Sequence, residues 1–162
     1  MQNYPINNQF NLGGLFYSVV EHNHDKIALR YYHNSFTYRD INETSNQIAN
    51  YLLLKDIQPD DVIAIFNAKT YIGFSTMIAC IKIGAIYTNL DYENPISRLE
   101  KIINLCNPKL IISDFKVSND FKKFILSKGT NFTDLSNKEN FLHLDSNDLE
   151  ITKTVTGSNI VY

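Results

Sequence analysis

Between residues 61 and 114 the chain alternates short, unbroken apolar runs with longer amphipathic segments, and that rhythm restricts the fold more than any other feature. The runs are "DVIAIF" (61–66), "AIYTNL" (85–90) and "KLIISD" (109–114), separated by helix-length segments near 71–83 and 96–106. A strand with one wet face alternates apolar and polar residues, whereas a strand buried on both faces does not. Continuous strands divided by helices therefore predict an α/β fold: βαβ units, a mostly parallel sheet and right-handed crossovers. Pro95 before one helix and Pro108 after it fit this punctuation, because proline lacks the N–H that a helix interior needs. Gly84 follows the 71–83 helix where the chain must turn sharply into a strand, a left-handed position that glycine reaches without a Cβ clash.

Upstream of this region the pattern differs. "LFYSVVEHN" (15–23) spaces Leu15, Phe16, Val19 and Val20 as one face of a short helix. "KIALRYY" and "SFTY" read as two antiparallel strands joined through a polar connection at His33-Asn34-Ser35. "RDINETSNQIANYLLLK" (39–55) then places Ile41, Ile48 and Leu52 on one stripe and stops before Pro59 and Asp60, which predicts an amphipathic helix. The expected division is an α/β core over 1–125, a polar surface connection over 126–158 with little periodicity, and the opening of a further strand at 159–162. That last run, Ile160, Val161 and Tyr162, reads equally as a strand cut short and as a domain finishing on an edge strand.

Composition excludes several classes of function. A chain of 162 residues buries roughly 70% of its unfolded surface in one core. With 15 Lys and Arg against 17 Asp and Glu the charges are balanced, no basic face stands out, and nucleic acid is not an expected partner. The stretch 71–87 is interrupted by Gly73, Ser75, Thr76, Lys82 and Gly84, short of the roughly 20 consecutive apolar residues of a membrane span, so it reads as a buried helix. "MQNYPINNQFNLGG" has neither the basic nor the apolar region of a secretory signal, which leaves the cytoplasm as the expected location. Cys80 and Cys106 lie among apolar neighbours and are expected as buried thiols rather than a disulfide or metal pair.

The local candidates for chemistry each have a structural counterpart. Asp91 ends a predicted strand at the side of the sheet where α/β folds place ligands, and an aspartate there also caps a turn. His22, His24 and Asp25 could share a metal, but they lie on a polar turn without a distant third ligand, and a solvated turn is preferred. "NAKT" puts Lys69 and Thr70 after a strand, yet it lacks the glycines of a phosphate loop, so helix capping is the expected role. Ser18, Ser75 and Ser113 have no G-x-S-x-G context, and His143 is alone in its half of the chain, which argues against a hydrolase triad. Tyr31, Tyr32, Phe36 and Tyr38 read as hairpin packing, since no basic groove accompanies them to make a base-stacking platform.

Two segments resemble a known family. "FTYRDI" (36–41) is similar to the L-T-Y-x-E-L box of adenylate-forming enzymes, and "IKIGAIYTNLD" (81–91) to their L-K-A-G-x-A-Y-x-P-L-D box, at the family's usual separation. "NQIANYLLLKDIQPDDVIAIF" and "NPISRLEKIINLCNPKLIISD" resemble the segments between and after them, so the likeness covers residues 12–114. Departures are Asp40 for glutamate, Ile83 for alanine and Asn89 for proline. The resemblance implies the N-terminal subdomain of an adenylation enzyme, with "NIVY" running into a Ser/Thr/Gly-rich loop that grips ATP phosphates beyond Tyr162. It further implies a parent that uses Mg-ATP to activate an amino acid or other carboxylate and then loads a phosphopantetheine thiol on a carrier protein.

The D-x-x-x-P-x-x-R-L spacing of Asp91, Pro95, Arg98 and Leu99 is nearer the amino-acid-activating domains of nonribosomal peptide synthetases than acyl-CoA ligases. On this reading no catalytic, cofactor or metal residue lies in the chain, which binds none of these cofactors and is inactive alone. Its partners are the remainder of the adenylation domain, a carrier domain and, through an exposed sheet edge, a second copy. A fragment of an acyl-CoA or aryl-acid ligase and a non-enzymatic α/β interaction module are the alternatives.

Overall fold

The computed structural model describes residues 11–156. The expected strand at 159–162 lies outside the described residues. Helix α1 (Leu12–Asn23) leads to a hairpin of β1 (Ile27–Tyr31) and β2 (Asn34–Thr37), and α2 (Tyr38–Leu54) follows. Then come β3 (Val62–Phe66), α3 (Tyr71–Ile83), β4 (Ile86–Leu90), α4 (Ile96–Cys106), β5 (Leu110–Ser113), α5 (Asn119–Ser127) and β6 (Asn131–Asp134). The hairpin is antiparallel, and the four later strands form a parallel sheet in the order β4-β3-β5-β6.

Alternation on the two central strands divides the core. Ile63 and Ile65 of β3 and Leu110 and Ile112 of β5 face α2 and α3, while Ala64, Phe66 and Ile111 face α4 and α5. Both faces are therefore dry, which is why these strands read as continuous apolar runs. The two family-like boxes turn out to build helix ends. Thr37 of "FTYRDI" accepts the Asp40 N–H at 3.1 Å, and the Asp40 carboxylate accepts the Thr37 N–H at 2.7 Å, a reciprocal capping box that opens α2. Asp40 thus does what glutamate does in such a box. Gly84 closes α3 at φ 75, as its position predicts.

Three expectations need correction. The hairpin turns at Tyr32 and His33, with Tyr32 at φ 52, and Asn34 and Ser35 belong to β2. Cys106 is only partly buried: it shares the face of Leu99 and Ile103 but is the last residue of α4, where the helix ends at Asn107. The stretch from 126 is more than a surface connection: most of its residues are exposed, but it supplies the strand β6 and buries Thr133, Leu135, Phe141, Leu149 and Thr152. Its polar character misleads because amide side chains of α2 bond the carbonyls of residues 142, 144, 145 and 146 and so hold the segment in place. Gln47 donates to Leu142 O at 2.8 Å, Asn50 to Asp145 O at 2.8 Å, and Asn46 to Ser146 O at 2.8 Å. We call residues 142–153 the strap.

Candidate functional site

The carboxyl ends of the strands are the first place to look, and especially the gap between β3 and β5, because the chain passes to β4 on one side and to β5 on the other. Asp114 fills that gap. It is 4% exposed, and its carboxylate accepts the N–H of Ala68 at 2.7 Å, the N–H of Thr70 at 3.1 Å and the Thr70 hydroxyl at 2.7 Å. Thr70 is the N-cap of α3 and accepts the Gly73 N–H at 3.3 Å. The carboxylate therefore sits on the first turn of α3, where unpaired amide N–H groups and the helix dipole favour an anion. Gly73 permits this approach: a Cβ there would lie 2.4 Å from Asn67 Oδ1 and 2.5 Å from Asp114 Oδ2. The seat in which a parallel sheet could hold a phosphate is thus taken by the chain's own side chain, and an ATP phosphate does not fit it.

Beside this seat a cleft of about 440 Å³ opens at the ends of β3 and β4, walled by Lys69, Phe74, Met77 and Tyr92. On its floor the Asn67 amide donates to Asn89 Oδ1 at 3.1 Å, and Asn89 donates to Met77 Sδ at 3.5 Å. Asp91 is at its edge, and its side chain accepts the Glu93 N–H at 3.0 Å while its carbonyl accepts the Asn94 N–H at 3.1 Å. Asp91 is the turn cap of the two readings.

A second polar cluster lies at the other end of α3, around the fully buried Lys82. Its Nζ donates to Asn42 Oδ1 at 2.7 Å, Ser45 Oγ at 2.7 Å and Asn46 Oδ1 at 2.6 Å, with Asn42 O at 3.3 Å. The Ser45 hydroxyl spends its proton on Asn42 O at 2.9 Å, so every group facing Nζ is an acceptor and the seat suits an ammonium. Tyr17 and Phe16 of α1 cover it with ring centroids at 4.5 and 5.3 Å. Burial pulls the Lys82 pKa down to about 7, and the Asp148 carboxylate, held by Asn42 at 2.9 Å and Asn46 at 3.1 Å, opposes that pull. Burial likewise raises Tyr17, against hydrogen bonds from Thr152 and Leu149.

The other candidates have structural occupations. Thr70 caps α3, and Lys69 is the left-handed residue before it, at φ 61. His24 and Arg39 flank the exposed Asp25 at 2.7 and 2.9 Å, and His22 bonds Ser18 O. No group of three His, Cys, Asp or Glu residues close enough to share a metal occurs among the described residues. Ser18 is on α1, the Ser75 hydroxyl is buried without a partner, Ser113 bonds Phe115, and His143 bonds Glu139 O. Cys80 is buried and its thiol is pushed up to about 12. Phe36 stacks on Tyr71 with centroids 4.1 Å apart, and Tyr31 meets Tyr32 edge-on at 4.6 Å, so the hairpin aromatics pack.

Solved structures share this architecture. The N-terminal subdomain of Klebsiella oxytoca NpsA in complex with 3-hydroxybenzoyl-AMSN superposes with a TM-score of 0.75 at 17% identity, over 92% of this chain and 36% of that one. O-succinylbenzoate Coenzyme A Synthetase (MenE) from Bacillus subtilis gives 0.69 at 15% identity, over 83% and 34%. The fold is therefore that of N-terminal subdomains of adenylation enzymes. The AMP-binding enzyme family model matches residues 16–156, and the chain belongs to that family. Among its relatives, Bacitracin synthase 1 of Bacillus licheniformis is 32% identical over 61% of this chain. Surfactin synthase subunit 1 of Bacillus subtilis (strain 168) is 26% identical over 98% of it. The chain spans 2% and 4% of the lengths of these two synthases. No helix among the described residues is long and apolar enough to cross a membrane.

Proposed function

We propose that this chain is the N-terminal scaffold of an amino-acid adenylation domain of the peptide-synthetase kind, and that it does not catalyse alone. The observation that carries this reading is the occupied anion seat. The helix end best placed to bind a phosphate holds Asp114, and the residues of the described fold offer no second cradle of glycine-rich backbone N–H groups. Nucleotide chemistry then belongs to later sequence, beginning with a Ser/Thr/Gly-rich loop after Tyr162. The parent joins the carboxylate of an amino acid to the α-phosphate of Mg-ATP, releases pyrophosphate, and passes the acyl group to the phosphopantetheine thiol of a carrier domain. The synthase relatives and the Asp91-Pro95-Arg98-Leu99 spacing favour an amino acid as substrate. The likeness to MenE supports an acyl-CoA or aryl-acid ligase as the second reading.

The test is amino-acid-dependent ATP–pyrophosphate exchange. The 162-residue chain should give none with any amino acid, and the same chain extended through the rest of the domain should give exchange with one or a few. Exchange by the chain alone overturns the placement of the site. An extended protein that accepts aryl or fatty acids instead moves the parent to the second reading.

A further inference from the structure

α1 and the strap are far apart in sequence, yet they close over the same buried lysine. The Tyr17 hydroxyl donates to Asn46 Oδ1 at 3.1 Å and accepts the Leu149 N–H at 3.0 Å across 132 positions, so one side chain of α1 joins α2 to the strap. The amide of Asn11 adds a second tie, donating to Thr152 O at 2.6 Å. The packing at Gly13 is close: a Cβ there would come 2.7 Å from the Thr152 methyl Cγ2 and 3.2 Å from Lys82 Cα of α3. Few residues of either piece are fully buried, although Leu149 joins the main core with Leu144 and Ile151 packed against it. Gly13 is the one buried residue of α1, and Leu149 and Thr152 are the buried residues of the strap.

We propose that α1 and the strap open and close as a single unit over Lys82, a latch whose two halves come from opposite ends of the described chain. If α1 lifts, the ammonium loses its two ring covers, Leu149 N–H loses its acceptor and Thr152 O its donor. If the strap lifts, Tyr17 and Asn11 lose those same partners. Each half thus takes ties away from the other; residues 142–146 keep their bonds to Gln47, Asn46 and Asn50 of α2, so the coupled part of the strap is 149–153, and segments with few fully buried residues are the ones that open below the global unfolding free energy.

Hydrogen exchange on the 162-residue chain at pH 6.5, as a function of urea, tests this. The helical amides of α1 and the Thr152 N–H, which bonds Leu149 O rather than Tyr17, should share one opening. Their protection and urea dependence should agree within about twofold, both well below β3 and β5. Tyr17→Phe, which removes both the bond to Asn46 and the bond from Leu149, should speed exchange of both segments by about tenfold or more, and that of β3 and β5 by no more than the same factor, so the gap between latch and sheet is kept. Lys82→Met should do the same more strongly. If that variant does not fold, the wild-type urea dependence and Tyr17→Phe decide. Acceleration confined to α1, different urea slopes for the two segments, or opening only together with the sheet overturns the proposal.

Discussion

Helix α3 carries a buried charge at each end, and the two ends are built on different plans. Asp114 at its N-terminus is satisfied mainly by backbone N–H groups and one hydroxyl of the adjoining loop. Lys82 in its last turn is satisfied by three side chains of another helix and by two rings of a third. Both signs agree with the helix dipole. An anion at a helix start finds donors already supplied by the backbone, so only the next loop has to be in place. A cation in a helix's last turn finds carbonyls mostly used, so its acceptors are imported, and every element that lends one becomes tied to the others.

Substitutions can break or sharpen this contrast. Asp114→Ala should have the largest effect, about 3 kcal/mol, because two backbone donors and the Thr70 hydroxyl lose a charged acceptor in a buried place; urea unfolding reads it. Lys82→Met should cost about 2 kcal/mol, less than the anion, since Ser45 and Asn46 keep other partners. Thr37→Ala, which removes a neutral cap at the start of α2, should cost about 1 kcal/mol and calibrates both.

The pH dependence isolates the cation. Because burial holds Lys82 near 7 in the folded chain, the unfolded chain binds an extra proton between about 7 and the ordinary lysine value. Stability of the wild type should therefore rise with pH through that window relative to Lys82→Met. The groups facing the amine are the Asp148 carboxylate and Tyr17, and Tyr17, being raised, adds nothing below its ordinary range. A flat difference between the two proteins from pH 7 to 9 would show that Lys82 stays charged throughout. The smallest effect is expected for Asn89→Pro, within about 0.5 kcal/mol. Ile86 N–H bonds Asp61 O, so alternate residues of the edge strand β4 face β3 and Asn89 N–H points away from the ladder.

What was legible in the sequence was whatever repeats or punctuates. Continuous apolar runs gave β3, β4 and β5, and Gly84 and Pro95 marked helix ends in their expected places. Residues 126–156 were hard to read because their inward residues are few: only Thr133 and Leu135 show the strand spacing of two, one of them polar, and Phe141, Leu149 and Thr152 lie too far apart to extend a period. Asp114 could not be told from Asp91: each ends a strand, and only the fold shows that one lies between two strands and the other at the edge. Lys82 did leave a trace. It is the one charged residue in an apolar helix, and Asn42 and Asn46 sit four apart, a polar patch facing the same way on the helix that packs against it.

The reach of the Tyr17 bond sets an order of events during synthesis. A ribosome that has released only α1, α2 and α3 has made the lysine, its oxygens and its two ring covers, but not the strap that ties them down, because Leu149 is still to be translated. The pocket is therefore completed only when nearly all of the described fold has emerged and the last turns arrive.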